Sequence, residues 1–199
     1  MYVRMTYATG DPAKIDEAID GLVAEAPKLL ADQPGYRGFR LFADRELGKL
    51  ATASWWETEE AERSSDEQLA ERRGQLLAPF AASAVTEVWE VAAYAPARAQ
   101  AGGGLRLGRL EFDPAKVDQA VRAFQQVLPK FQAIPGNAGA AMLLDRARGR
   151  AVVGTLWADR AALAASRGPQ AAARSEGVRA GGFRLLSLEE FELVLADYR

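Results

Sequence analysis

Apolar and polar positions alternate over the first residues and then change to a helical spacing. In YVRMTYA, Val3, Met5 and Tyr7 fall on one face of a strand. Asp11 followed by Pro12 is typical of a helix N-cap and the first helical residue. Apolar residues then recur every three or four positions, at Ile15, Ile19, Leu22, Val23 and Ala26. The pattern predicts a strand followed by an amphipathic helix.

Two more strands, a second helix and a fourth strand follow. FRLFA and LATASWW have strand character, and a turn at Asp44–Gly48 joins them as a hairpin. Thr58 then caps a second helical region that carries acidic residues in its first turn. VTEVWEVAAY closes the set as a strand. The resulting order, β-α-β-β-α-β, is the ferredoxin-like arrangement.

The whole pattern occurs twice in the chain. DPAKIDEA returns as DPAKVDQA, SWWETEEA returns as TLWADRAA, and EVWEV returns as EEFEL. The offset between matched stretches stays at 101 to 102 residues. Chance does not hold one register over so many stretches, so the chain is a tandem duplication.

The duplication predicts the domain organisation. We place the first repeat at residues 1–94, a linker at 95–104 and the second repeat at 105–199. The linker is rich in Ala, Pro and Gly, which is typical of a flexible surface segment. Each repeat forms a four-stranded antiparallel sheet with helices on one face, and its other face needs cover. We therefore predict an α+β fold in which two ferredoxin-like repeats pack sheet to sheet as an intramolecular pseudo-dimeric α/β barrel.

Several residues predict irregular helices. Pro27 and Pro129 are expected to kink or end the first helix of each repeat, because proline removes a helical hydrogen bond. The second helical region is expected to break near Ser65 in the first repeat and near Gly168-Pro169 in the second.

Composition excludes several classes of function. The net charge of −2 gives no electrostatic reason to expect binding to nucleic acid or an anionic membrane. The chain has no cysteine and no histidine, so disulfides, Ser-His-Asp triads and metal sites built on those residues are impossible. No apolar run approaches the roughly 20 residues that span a bilayer. The N-terminus lacks the features of a signal peptide, so a cytoplasmic location is expected.

Four features together resemble one family. They are the order of elements, the Trp that ends the third strand, the acidic helix start in SWWETEEA and the Glu-x-aromatic-Glu pattern of the last strand. The sequence resembles the antibiotic biosynthesis monooxygenase (ABM) superfamily, as a fused tandem pair covering nearly the whole chain. The resemblance implies a small-molecule cavity in each repeat, between the sheet and its helices. Some members of the family oxygenate polycyclic aromatic molecules such as anthrones without metal or flavin. Haem-degrading members use a histidine ligand that this chain lacks, so neither a cofactor nor a metal is expected.

The strand-three Trp of the family corresponds to Trp56 and, in the second repeat, to Trp157. Each could form an aromatic wall of a binding site, or could be a packing residue that anchors the following helix. Catalytic family members commonly carry an Asn in the pocket, and the strand position where it is expected holds Thr52 here and Val153 in the second repeat. No catalytic residue is identified, although Thr52 is a candidate substrate contact.

Three other residues are candidate substrate contacts. Tyr7 could donate a hydrogen bond to a carbonyl or phenolate, and its counterpart in the second repeat is Arg109. Arg40 could stabilise a developing oxyanion. The alternatives are a solvated polar residue at a strand end for Tyr7, and a surface arginine lying over an aromatic neighbour for Arg40.

Two functions remain open from the sequence. The first is a cofactor-independent monooxygenase-like protein acting on an aromatic or polyketide-type small molecule. The second is a small-molecule-binding or structural protein without catalysis on the same scaffold. A cavity of roughly 300 Å³ or more with convergent polar groups favours the first, and a cavity closed by Trp56 and Phe39 favours the second. The first repeat is expected to hold any site, because only it combines Arg40 with Trp55 and Trp89. The sequence leaves open whether the fused pair forms a homodimer.

Overall fold

The computed structural model describes residues 1–199 and contains the predicted order of elements twice. The first copy consists of β1 (Tyr2–Gly10), α1 (Ile15–Ala31), β2 (Tyr36–Asp44), β3 (Lys49–Trp56), α2 (Glu59–Leu77) and β4 (Ala81–Ala95). The second copy consists of β5 (Gly104–Glu111), α3 (Val117–Gln132), β6 (Asn137–Asp145), β7 (Arg150–Trp157), α4 (Arg160–Ala165), α5 (Arg167–Gly181) and β8 (Arg184–Tyr198). A short 3₁₀ turn precedes α1 and another precedes α3, at Pro12–Lys14 and Pro114–Lys116.

Hydrogen-bonded neighbours among the strands follow the order β1-β3-β2-β8-β5-β7-β6-β4. The predicted fold class is confirmed, because the chain is α+β with eight strands and two ferredoxin-like repeats. The closing strands β4 and β8 are longer than predicted, with 15 residues each.

The chain divides into two compact units whose boundaries fall inside the long strands β4 and β8. One unit contains Met1–Trp89 and Leu193–Arg199, and the other contains Glu90–Glu192. The part of β4 in the second unit pairs with β6, and the first part of β8 pairs with β5. The end of β8 belongs to the first unit, where the Tyr36 hydroxyl donates to Asp197 at 2.9 Å.

In the first unit, β3 lies between β1 and β2 with an antiparallel register to both. Thr52 of β3 stands opposite Thr6 of β1 and Leu41 of β2. Helix α1 covers one face of this sheet with its apolar stripe, whose buried members are Ile15, Ala18, Ile19, Leu22, Ala26 and Leu30. This stripe includes the helical positions predicted from the sequence, apart from Val23, which is exposed.

The second unit repeats this arrangement, with β7 between β5 and β6. Helix α3 buries Phe124, Val127 and Phe131 against the sheet. Helix α5 packs closely on α3, because a Cβ atom at Gly177 would lie only 3.2 Å from a methyl carbon of Val127. The linker segment is attached to this unit through the Arg98 N–H, which donates to the Ala138 carbonyl at 2.8 Å.

The N-caps of the second helical regions are confirmed. Thr58 accepts a hydrogen bond from the Ala61 N–H, and Asp159 accepts one from the Ala162 N–H. None of the helices combines the length and apolar character that a membrane span requires.

One predicted helix break is absent, and neither α1 nor α3 ends at its proline. Helix α2 is continuous across Ser65, whereas the second repeat breaks at Ser166, near the predicted Gly168-Pro169. Pro169 explains the difference, because it has no N–H to donate to the preceding turn and is tolerated only at the start of α5. Helices α1 and α3 continue beyond Pro27 and Pro129. Both prolines lie close to the helix C-terminus, where one missing hydrogen bond does not end the helix.

Candidate functional site

Each repeat contains a cavity between its sheet and its helices. The first is bordered by Arg4, Thr6, Leu22, Ala26, Leu29, Leu30, Phe39, Thr52, Ser54, Leu69, Arg73, Leu76 and Leu77. The second is bordered by Arg106, Gly108, Leu110, Phe124, Val127, Phe131, Val153, Gln170, Arg174, Gly177, Val178, Phe183, Leu185 and Leu188. The volume open to the centre of a water molecule is about 60 Å³ in the first cavity and about 40 Å³ in the second. Both cavities are mainly apolar, and each is bordered by two arginines.

The arginine from the first strand of the first repeat is almost completely buried. Arg4 is 3% exposed and lies over the ring of Trp56, with 5.1 Å from its guanidinium carbon to the ring centroid. Its Nη1 donates to Glu62 Oε1 at 3.3 Å and to Asp66 Oδ1 at 3.2 Å, and its Nη2 donates to Ser65 Oγ at 3.1 Å. Helix α2 therefore packs partly through polar groups, since it buries a carboxylate and a hydroxyl against Arg4 in addition to apolar residues such as Leu77.

The second repeat keeps this arrangement around Arg106, which is 2% exposed. Arg106 Nη1 donates to Ser166 Oγ at 2.9 Å and also to the Gln170 side-chain oxygen. Its Nη2 donates to the Leu163 carbonyl at 2.7 Å and to Glu190 Oε1 at 2.7 Å. The guanidinium carbon lies 5.8 Å from the ring centroid of Trp157.

A second arginine borders each cavity from the helix side. Arg73 donates to Asp66 Oδ1 at 2.7 Å in the first repeat, whereas no carboxylate pairs with Arg174 in the second. Burial lowers the pKa of Arg4, and the nearby charge of Arg73 lowers that pKa further. Burial likewise lowers the pKa of Arg174, and the charge of Arg106 adds to this effect. Each cavity therefore combines apolar walls with two guanidinium groups whose positive charges repel one another.

The carboxylates beside these arginines differ in environment. Burial raises the pKa of the Glu62 carboxyl, and the nearby Arg4 opposes this rise. The pKa of the Glu190 carboxyl is lowered, chiefly because Glu190 accepts hydrogen bonds from Arg167, with burial acting in the opposite direction.

The tryptophans predicted as site residues are sealed inside the protein. Trp56 and Trp157 are both 0% exposed. Trp56 Nε1 donates to Ser54 Oγ at 3.0 Å, and Trp157 Nε1 donates to Thr155 Oγ1 at 3.3 Å. Each indole thus packs beneath the buried arginine with its polar atom satisfied, and neither ring borders the cavity.

The structure does not bring the predicted site residues of one repeat together. Thr52 borders the first cavity and shares the helix-covered face of the sheet with Trp56. Tyr7 and Arg40 stand opposite Ala51 and Ala53, so they lie on the other face of the sheet. Arg40 stacks on the ring of Trp55, with its guanidinium carbon 3.9 Å from the ring centroid. Arg40 thus lies over an aromatic neighbour, but it is not the surface arginine of the alternative prediction, because its Nε atom is buried.

The same separation occurs in the second repeat. Arg109 stands opposite Val152, whereas Trp157 lies on the helix-covered face with Ala151 and Val153. The expectation of a site in the first repeat depended on Arg40, which faces away from the cavity. Cavities are present in both repeats.

Sequence reasoning overlooked the four arginines at the cavities. The signal was available, because Arg4 matches Arg106 and Arg73 matches Arg174 at the repeat offset. In both pairs an arginine is present in each repeat, at a position that borders the cavity between the sheet and the helices.

Comparison with known proteins gives a family and a fold. The family model described as antibiotic biosynthesis monooxygenase matches residues 1–69. The uncharacterized protein Rv2557 of Mycobacterium tuberculosis is 30% identical over 201 residues, which cover 100% of this chain and 90% of that protein.

Two solved structures show the same fold across nearly the whole chain. A protein of Fusobacterium nucleatum described as a candidate monooxygenase aligns with a TM-score of 0.75 at 8% identity, covering 100% of this chain and 94% of that one. A protein described as anthrone oxidase-like aligns with a TM-score of 0.70 at 14% identity, covering 99% and 92%.

Proposed function

The chain belongs to the antibiotic biosynthesis monooxygenase family as a tandem pair of its domains, and we propose that it is a cofactor-independent monooxygenase-like protein. Its ligand is an aromatic or polyketide-type small molecule held between the sheet and the helices of a repeat. The observation that carries this proposal is the pair of guanidinium groups at the edge of an otherwise apolar cavity. An apolar pocket with a few convergent polar groups is the usual form of a small-molecule site.

The arginines suit the chemistry that oxygenation without a cofactor requires. The substrate must lose a proton from carbon and become a carbanion that is electron-rich enough to reduce dioxygen directly. Guanidinium groups in a water-poor cavity stabilise that anion and so lower the pKa of the bound substrate. No residue of the chain stands out as a base, and on this account the proton of a sufficiently acidic substrate passes to solvent.

For an anthrone-type substrate the reaction balances with dioxygen as the sole co-reactant. The carbanion formed from the CH₂ group gives its electrons to dioxygen, and a carbon–oxygen bond forms. Loss of water from the resulting hydroperoxide leaves a carbonyl group, so CH₂ and O₂ become C=O and H₂O. The protein contributes a position for the ring and charge stabilisation for the anion.

Oxygen uptake tests this function. One structural neighbour is described as anthrone oxidase-like, so anthrone heads a panel that also contains smaller aromatic compounds with an acidic C–H group. We expect consumption of one dioxygen per substrate, above the rate without protein. Two equivalent positions on the cavity walls, Thr52 and Val153, allow the cavities to be filled by Thr52→Phe and Val153→Phe.

The double variant is expected to lose activity roughly tenfold or more, because the ring can no longer be positioned. Leu47→Phe is the matched control, since Leu47 is 62% exposed and borders neither cavity. Thermal unfolding confirms that each variant is folded. The proposal is wrong if no compound is consumed faster than without protein, or if the double variant retains full activity.

Ligand binding without catalysis is the second candidate function. It is favoured by the size of the cavities, because about 60 and 40 Å³ fall well below the roughly 300 Å³ of an open drug-sized site. The complete burial of Trp56 and Trp157 points the same way. A protein that binds the same compounds but leaves oxygen unconsumed belongs to this second class.

A further inference from the structure

The two cavities differ in charge, and we propose that the cavity of the second repeat selects an aromatic organic anion, such as a ring bearing a carboxylate or enolate. The cavity of the first repeat does not make this selection. The inference rests on the proposed function, because it takes the cavity between sheet and helices as the ligand site. It adds a substrate class and assigns that class to one repeat.

The charges around the first cavity balance. Arg4 and Arg73 face two carboxylates on the same helix, Glu62 and Asp66. Arg4 contacts both carboxylates, and Arg73 shares Asp66. Two positive groups therefore meet two negative groups, and an entering anion gains little net attraction.

The charges around the second cavity do not balance. Arg106, Arg167 and Arg174 have a single carboxylate among them, that of Glu190. Glu190 is shared between Arg106 and Arg167, at 2.7 Å from each. Arg174 borders the cavity and has no acidic partner. The cavity therefore carries an excess positive charge that an anionic ligand would neutralise.

The difference arises from individual positions in the duplicated sequence. At the repeat offset, the acids Glu62 and Asp66 of the first repeat correspond to Leu163 and Arg167 in the second. The cavity arginines themselves are unchanged between the repeats. The second repeat therefore lacks both of these acids and has an additional cation, while the carboxylate of Glu190 stands at the position of Val88 in the first repeat.

The mouth of the second cavity suits an aromatic ring behind the anionic group. Leu185 and Leu188 of β8 border this cavity and are 37% and 42% exposed. No residue of β4, the equivalent strand, borders the first cavity. A flat ligand can place its ring along these leucines and Phe183, with its charge directed towards Arg174. Because the ring stays at the mouth, the narrow interior needs to admit little more than the anionic group.

Calorimetric titration of the full chain with two ligands of one shape tests this inference. The ligands are 2-naphthoate, an anion, and 2-naphthamide, its neutral counterpart. We expect 2-naphthoate to bind about tenfold more tightly, because it alone can form an ion pair, with two parallel hydrogen bonds, to a guanidinium. Arg174→Gln should remove this preference by weakening 2-naphthoate about tenfold while changing 2-naphthamide less than about twofold.

The duplication supplies a matched comparison at the equivalent position. Arg73→Gln should weaken 2-naphthoate by no more than about twofold, because Asp66 already neutralises Arg73. Arg174→Lys should retain most of the preference, since it keeps the charge. Arg179→Gln, on the exposed end of α5, should leave both affinities unchanged.

The outcomes separate this inference from the proposed function. Equal affinity of the two ligands for the unmodified protein overturns anion selection and leaves the cavity as a ligand site. Equal effects of Arg73→Gln and Arg174→Gln overturn the assignment to the second repeat. Binding of neither ligand contradicts the use of the cavity itself and so overturns the proposed function as well.

Discussion

Each repeat buries an arginine on its first strand, under a helix, where an apolar residue is the ordinary choice. Arg4 and Arg106 are 3% and 2% exposed, and each donates to a buried serine of the covering helical region and lies over the Trp that ends the third strand. A buried guanidinium of this kind requires partners, because an unpaired charge in the interior is costly. The two repeats supply those partners differently, and this difference sets the charge of each cavity.

Glu190 is a residue whose contribution to stability is expected to depend on pH. It is the only carboxylate partner of buried Arg106, and the pKa of its carboxyl is lowered from 4.5. A lowered pKa in the folded state means that its stabilisation is present above about pH 4.5 and is lost as the pH falls through the folded-state pKa. Glu190→Gln should therefore reduce the free energy of unfolding by about 2 kcal/mol at pH 7, and by less as the pH falls below 4.

Urea denaturation at several pH values measures this effect. The control is Glu176→Gln, which removes an exposed ion pair with Lys130 and should change the free energy of unfolding by less than about 0.5 kcal/mol. A Glu190→Gln effect that stays constant from pH 7 to pH 3 would contradict the assignment.

At the residue scale, one of the predicted contacts of the first repeat borders a candidate cavity, and its role in binding stays a prediction. Thr52 borders a cavity as expected of a substrate contact, because the alternation of β3 determines its face. The same alternation places Tyr7 and Arg40 on the opposite face, which becomes clear only once β1, β2 and β3 are aligned in register. Arg4 and Arg106 were overlooked because a charged residue within a strand is ordinarily assigned to solvent. Arg73 and Arg174 were overlooked because a charged residue on a helix is ordinarily assigned to its exposed face. The sequence signal was the recurrence of these arginines at equivalent positions of the two repeats.

At the scale of elements, matching irregularities in β2 and β6 show how closely the repeats agree. The strand register shifts between Tyr36 and Gly38, and again between Asn137 and Gly139. Gly38 has φ of 149°, and a Cβ atom there would lie 2.7 Å from the Asp197 carbonyl oxygen of β8. The irregularity therefore requires glycine, both for its backbone conformation and for the close approach of β8.

Substitution of this glycine should destabilise the first unit. Gly38→Ala is expected to lower the free energy of unfolding by more than about 2 kcal/mol, because it adds both backbone strain and a steric overlap. Gly74→Ala is the opposite case, since Gly74 lies inside α2 with nothing within 4 Å of an added Cβ atom. It should stabilise the protein by about 0.5–1 kcal/mol. Urea denaturation distinguishes them, and changes of the same sign would contradict this account of Gly38.

The elements themselves were largely predictable, and the errors have local causes. Asp11, Thr58 and Asp159 cap helical segments as predicted, because a short polar side chain before a helix satisfies free N–H groups whatever the tertiary context. The break predicted near Ser65 was wrong, since Arg4 binds that hydroxyl and the helix continues. The long strands β4 and β8 were predicted too short, because their extra length depends on pairing with distant strands.

At the scale of the whole molecule, the duplication determines what the sequence can reveal. Two copies of one pattern predicted the fold class. They could not show that the end of β8, Leu193–Arg199, belongs to the same compact unit as the first repeat. That grouping depends on contacts between residues far apart in sequence, such as Tyr36 with Asp197.

The central claim is that the cavity between the sheet and the helices of a repeat is the ligand site. A crystal structure with anthraquinone-2-sulfonate, a soluble aromatic anion, tests this claim most directly. The account predicts the ligand in the second repeat, with its sulfonate beside Arg174 and its rings along Leu185 and Leu188. A ligand bound beside Arg40 and Tyr7 on the opposite face of the sheet, with both cavities empty, would contradict it.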